Sequence, residues 1–120
     1  MAEELRANVR RQGELAIIDL EGDVTIFAEE AISRAYQEAS DDNPTNIALN
    51  FTRSEYINSA GIAVIINIVT EARKNSQRIF IVGLTPHFQK IFKMVGLAQY
   101  AQILDTEEEV HSHLSSQVGD

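Results

Sequence analysis

The chain switches repeatedly between short, dense apolar runs and longer stretches in which apolar residues recur every three or four positions. LAIIDLEG, NIALNF and RIFIVGL are dense runs with the length and composition of buried strands, and AQIL is a last short strand. The more polar ELRANVRRQ precedes the first of them, with QG around Gly13 between the two, which predicts an opening hairpin. Helical spacing follows. Ala28, Ala31, Ile32, Ala35 and Ala39 form one face of a first helix, with Glu29 and Glu30 near its positive end and Pro44 as the breaker after it. A second helix is predicted over roughly 60–75. In TPHFQKIFKMVG, Thr85 is an N-cap and Pro86 the first helical residue; Phe88, Ile91, Phe92 and Val95 share a face, and Gly96 is the stop. A last helix, over about 106–116, opens with Thr106 and Glu109 spaced as a capping box.

A hairpin followed by helix–strand units predicts an α/β fold with a small mixed sheet, because each parallel crossover needs a helix. Arg10 and Arg11 suit a first strand at an exposed edge. With no linker or repeat, residues 1–120 are expected to form one domain, with its core over about 5–104.

The segment YINSAGIAVI, from Tyr56 to Ile65, places a polar pair where the second helix begins. Ser59 is positioned as an N-cap. A helix start also offers free N–H groups and positive potential, so a phosphate on Ser59 would be tolerated. Gly61, with no Cβ, leaves room for another surface to approach the first turn. Taking Ile62 as the centre of the face, Ile62, Ile65, Ile66 and Val69 form a core stripe with Ala72 at its margin. Val64 and Ile68 fall outside that stripe. Either a further layer of the protein covers them, or they are isolated surface apolar residues, or they form a partner-binding ridge that starts at Ser59.

Composition narrows the function. The 120 residues carry a formal charge of -8 from 18 acids and 10 bases. Arg6, Arg10 and Arg11 sit in the first strand and the other bases are spread along the chain, so nucleic acid is disfavoured, while a protein partner with a basic face stays open. There is no cysteine, which excludes disulfides, thiol catalysis and Cys-ligated metals. No apolar run reaches the roughly 20 residues of a membrane span, and MAEELRANVRRQ lacks a signal-peptide core, so a cytoplasmic location is expected.

Catalytic chemistry has little to stand on. Ser59 lacks the first glycine of a nucleophile elbow. His87 sits in the exposed first turn of a helix, and His111 and His113 lie on different helix faces, unable to share a metal. Neutral Asn50 and the opening hairpin argue against a receiver-like phosphoacceptor domain. GLTPHF could meet a phosphate through its N–H groups, but no phosphate-binding loop accompanies it. No cofactor, metal or enzymatic activity is expected.

Gly22, the block NIALNFTRSEYINSAGIAVIINIV, RIFIVGL and FQKIFKMVGL, in that order, resemble the STAS domain of bacterial anti-sigma factor antagonists, from about Leu15 to Leu104. The resemblance implies helices packed mainly on one side of the sheet. It also implies a non-enzymatic module that binds an anti-sigma factor of the serine-kinase type. The kinase phosphorylates a serine that falls on Ser59, the pair separates, and a metal-dependent serine phosphatase resets it. Asn58, Ala60 and Gly61 would form the docking turn, Val64 and Ile68 would extend it along the helix, and Thr25 and Thr85 would face the same end of the sheet. The chain departs from the family at three positions: Asn58, Asn50 and Thr25 stand where the family usually has Asp. The alternative is a STAS scaffold that binds another signalling protein without phosphorylation.

Overall fold

The computed structural model describes residues 3–118. Five strands, β1 (Arg6–Gln12), β2 (Leu15–Glu21), β3 (Asn46–Arg53), β4 (Arg78–Val82) and β5 (Gln102–Leu104), form one sheet in chain order. β1 and β2 are antiparallel across a two-residue loop with Gly13 at φ 63°, and every later pair is parallel. The helices α1 (Glu29–Ser40), α2 (Ser59–Lys74), α3 (Pro86–Met94) and α4 (Glu107–Val118) alternate with the strands from β2 onward. The mixed sheet, the hairpin and the helix–strand order match the expected fold.

Period-two alternation sends each strand's residues to opposite faces. On one face Ala16, Ile18, Leu20, Leu49, Phe51 and Ile81 meet the buried stripes of α1, α2 and α3. Phe51 packs edge-to-face on Phe92 of α3, with ring centroids 5.8 Å apart. On the other face Leu15, Ile17, Ala48, Phe80 and Val82 are covered by Val110 of α4, with Leu104 and Leu114 beside it. Three helices therefore share one face, and α4 alone covers part of the other.

The expected stripe on α2 is out of phase. Val64, Ile65, Ile68, Val69 and Ala72 are buried, whereas Ile62 is half-buried and Ile66 is exposed. α2 packs against both β4 and α1, so its buried arc turns toward Val64 and Ile68. These two residues are core: the protein itself covers them, and the alternative of a partner-binding ridge, with their place in the docking surface that the resemblance implied, falls away.

β1 lies at the sheet edge, and its arginines are engaged. Arg10 donates to Asp19 Oδ1 at 2.9 Å and to Glu107 Oε1 at 2.7 Å, fastening the first turn of α4 to β1 and β2. Arg11 donates to the Glu38 and Ala39 carbonyls at the end of α1, where a cation suits the helix dipole. Thr106 and Glu109 exchange the two bonds of a capping box at the start of α4.

Candidate functional site

The carboxyl ends of β2 and β3 set the site. Past β2, Gly22 (φ 113°) turns the chain so closely against Glu4 that a Cβ there would lie 2.5 Å from the Glu4 carbonyl oxygen. Ser54, buried after β3, donates to the Gly22 carbonyl at 2.6 Å. Val24 and Ile57 then form an isolated parallel bridge: Val24 N–H donates to Tyr56 O at 2.9 Å, and Asn58 N–H to Val24 O at 3.1 Å. The two loops thereby leave the sheet as a joined pair.

Asn58, in extended conformation, is the N-cap of α2, and its Oδ1 accepts from the Gly61 amide at 2.8 Å. This corrects the expectation that Ser59 is the cap. Asn and Ser cap about equally well, and here the residue one place earlier holds the extended backbone a cap requires. Ser59 is the first helical residue and is exposed, and none of the described residues hydrogen-bonds its hydroxyl. No acid stands in the first turn of α2, so the positive potential of the helix start is uncompensated there.

Gly61 serves a different purpose from the one expected. A Cβ there would stand 2.0 Å from the Val24 carbonyl oxygen, and the residue is buried. The space is filled by the chain's own β2 loop, so Gly61 presents nothing to a partner. Ala60 is half-buried at the same turn.

Thr25 accepts from Phe27 N–H at 3.2 Å and caps a 3-10 turn over Ile26–Ala28 that packs on α2. Thr85 caps α3, accepting from Phe88 N–H at 3.3 Å. Both threonines follow parallel strands and so lie at the same end of the sheet. Thr25 adjoins Asn58 through the Val24–Ile57 bridge, whereas no hydrogen bond joins Thr85 to the α2 turn. Asn50 is not part of this corner. Its side chain lies on the α4 face, donating to Asp19 Oδ1 at 2.9 Å and accepting from the Thr52 hydroxyl at 2.6 Å.

The pattern reading missed the most exposed apolar residues of the corner. Phe27 is 91% exposed, Ile26 51% and Tyr56 52%, in the two loops that flank Ser59. The available signal was the pair Ile26–Phe27 between a strand and a helix, outside either period. An apolar surface beside an unbonded hydroxyl at a positively polarised helix start suits docking of a protein, and among the described residues nothing bonds to Ser59 as a general base would.

The family model of the STAS domain matches residues 6–110. This chain belongs to the STAS family. The STAS chain is similar in fold to an anti-sigma factor antagonist from Mycobacterium paratuberculosis, at 14% identity over 91% of this chain and 92% of that one, with a TM-score of 0.78. It is likewise similar to the Bacillus cell fate determinant SpoIIAA in its phosphorylated form, at 24% identity over 90% and 98%, TM-score 0.68. RsbS of Moorella thermoacetica superposes at TM-score 0.79, with 10% identity over 96% and 99% of the two chains. Among the described residues of this STAS protein, no helix is long and apolar enough to cross a membrane.

Proposed function

We propose that this STAS protein is a partner-switching regulator that binds an anti-sigma factor with serine-kinase activity and is released from it when Ser59 is phosphorylated. One observation carries this: Asn58 makes the capping bond of α2, leaving the Ser59 hydroxyl exposed and unbonded. Similar folds named anti-sigma factor antagonists, among them SpoIIAA, which is also known in a phosphorylated form, support it.

The kinase docks on Phe27, Ile26 and Tyr56 and receives the Ser59 side chain. The γ-phosphoryl group of ATP passes to Oγ, the hydroxyl proton leaves to a base of the kinase, and ADP departs. The product carries about -1.5 to -2 charges, which the start of α2 accepts. A partner packed dry against the same place does not, since it would have to bury that charge. A serine phosphatase hydrolyses the monoester and restores the binding form.

Intact mass after incubation with the cognate kinase and ATP tests the reading. The expected result is one phosphate on the wild type and none on Ser59→Ala, with Ser59→Asp failing to bind where Ser59→Ala still binds. An unmodified wild type, or equal affinity of both variants, overturns it.

A further inference from the structure

The fold gathers this chain's net charge at one end. β2 to β5 are parallel and β1 runs against them, so segments 3–6, 20–30, 52–60, 82–88 and 104–109 all lie at the carboxyl end of the parallel strands. These segments carry eleven acids and two bases, Arg6 and Arg53. The segments at the opposite end, 11–16, 38–47, 71–79 and 93–102, carry five acids and five bases. The formal charge of -8 thus belongs to the end that holds Ser59, and the other end is balanced.

Ion pairing leaves most of that charge in place. Arg6 and Arg53 share the single carboxylate of Glu21, Arg10 engages Glu107, and Arg34 engages Glu30. The other eight acids of this end have no ion-pair partner among the described residues. Five of the eight adjoin the exposed apolar residues. Glu3, Glu4 and Asp23 line one pocket with Phe27, Glu29 follows the same 3-10 turn, and Glu55 precedes Tyr56.

The acidic field has a gap at Ser59. α1 opens with two acids in its first turn and α4 with three, whereas α2 and α3 open with none. The start of α2 therefore keeps its positive partial charge in the midst of carboxylates. A partner's cations are drawn to the acids around Phe27 and turned away from the first turn of α2. What packs over Ser59 is a neutral group.

Resting on the reading of this corner as the docking site of the anti-sigma kinase, we propose that the kinase meets it with a basic face around an apolar seat for Phe27. Charge and the Ser59 switch then act on different rate constants. The unpaired acids steer the encounter and set kon, while the dry contact over Ser59 sets koff. A phosphate on Ser59 adds to a field that already favours approach, so it does not slow the encounter. It breaks the contact once made, because the neutral group above it offers no cation. A second copy fits this end poorly, since it would present either the same acids or a balanced surface. Nucleic acid is repelled by it.

Stopped-flow association and dissociation of the full chain with the purified cognate kinase test it. The proteins are wild type, Ser59→Asp, a near triple (Glu4→Gln, Glu29→Gln, Glu55→Gln) and a far triple (Glu38→Gln, Asp41→Asn, Glu71→Gln), each checked for folding by circular dichroism. All six substituted acids are exposed, and the triples remove equal charge from opposite ends. The ends lie about 22 Å apart along α2, beyond the Debye length of about 10 Å at 0.1 M salt. Wild-type kon is expected to fall about tenfold or more between 0.1 M and 1 M salt, where the Debye length is about 3 Å, with koff little changed. At 0.1 M salt the near triple lowers kon about fivefold and the far triple stays within about twofold of wild type. Ser59→Asp raises koff about tenfold or more and keeps kon within about twofold. A salt-independent kon, equal effects of the two triples, or a Ser59→Asp that slows kon and spares koff overturns the proposal and leaves the docking site standing. A wild type that does not bind the kinase at all overturns the docking site and the proposal together.

Discussion

Asn58 Oδ1 and the Gly61 amide are 2.8 Å apart, and that bond separates two roles that adjacent residues could have shared. Asn58→Ala is expected to cost about 1 kcal/mol in urea unfolding, the usual loss for a removed cap. Ser59→Ala, which removes an exposed and unbonded hydroxyl, is expected to stay within about 0.5 kcal/mol of the wild type. A larger loss for Ser59→Ala than for Asn58→Ala would return the capping role to the serine.

Phe27 and Ile68 should behave as opposites. Phe27→Ala removes a ring that is 91% exposed, so stability is expected to hold while affinity for the proposed anti-sigma partner falls about tenfold or more. Ile68, 5% exposed, is core; Ile68→Ala is expected to cost about 2–4 kcal/mol and to leave the affinity of the folded fraction unchanged. Calorimetric binding and urea unfolding on the two proteins separate the cases.

Gly61→Ala places a methyl group 2.0 Å from the Val24 carbonyl oxygen, which is backbone and held by the Asn58 amide. The loop pair must part to admit it. The expected cost exceeds about 2 kcal/mol, near the upper end for overpacking, with faster amide exchange at Asn58. A neutral effect would show that the bridge is slack.

Acid should loosen the fastening of α4. The hydrogen bond from Arg10 holds the Glu107 carboxyl below its ordinary range, against partial burial. At Asp19 burial pushes upward, but bonds from Arg10 and Asn50 prevail and the group also titrates low. Folded values below the unfolded ones mean stability that is complete above the ordinary carboxylate range and lost as pH falls through the folded values. The wild-type urea midpoint is expected to drop between about pH 5 and pH 2. Arg10→Met should start about 1–2 kcal/mol lower at neutrality, since these groups are partly solvated, and show a flatter acid limb. Parallel pH curves for the two proteins would contradict this.

The strands, the hairpin and the ends of α3 and α4 were legible because each rests on local chemistry. Thr85 with Pro86, Gly96 at φ 89°, and Thr106 with Glu109 all act within a few residues of chain. The site was legible only in part. The position of the α2 turn could be read, but not which of Asn58 and Ser59 caps it, because that depends on where Val24 fixes the Asn58 backbone. The phase of α2 was misread for a related reason: its apolar residues cover most of its circumference, and contact with both α1 and β4 decides which arc is buried. Asn50 stands where the family usually has Asp, and strand alternation alone turns it toward α4 rather than toward this corner. Phe27 escaped because an exposed aromatic ring in a loop obeys no period.

The order of the strands across the sheet, β1 to β5 as in the chain, bears on the protein's birth. Each strand, on leaving the ribosome, finds its neighbour already emerged, so the sheet can lengthen from its first hairpin without waiting for a distant segment. Only α4, which closes the second face over Phe80 and Val82, must arrive late. Until it does, the nascent chain carries one bare apolar flank, and that interval is when a chaperone would have most to hold.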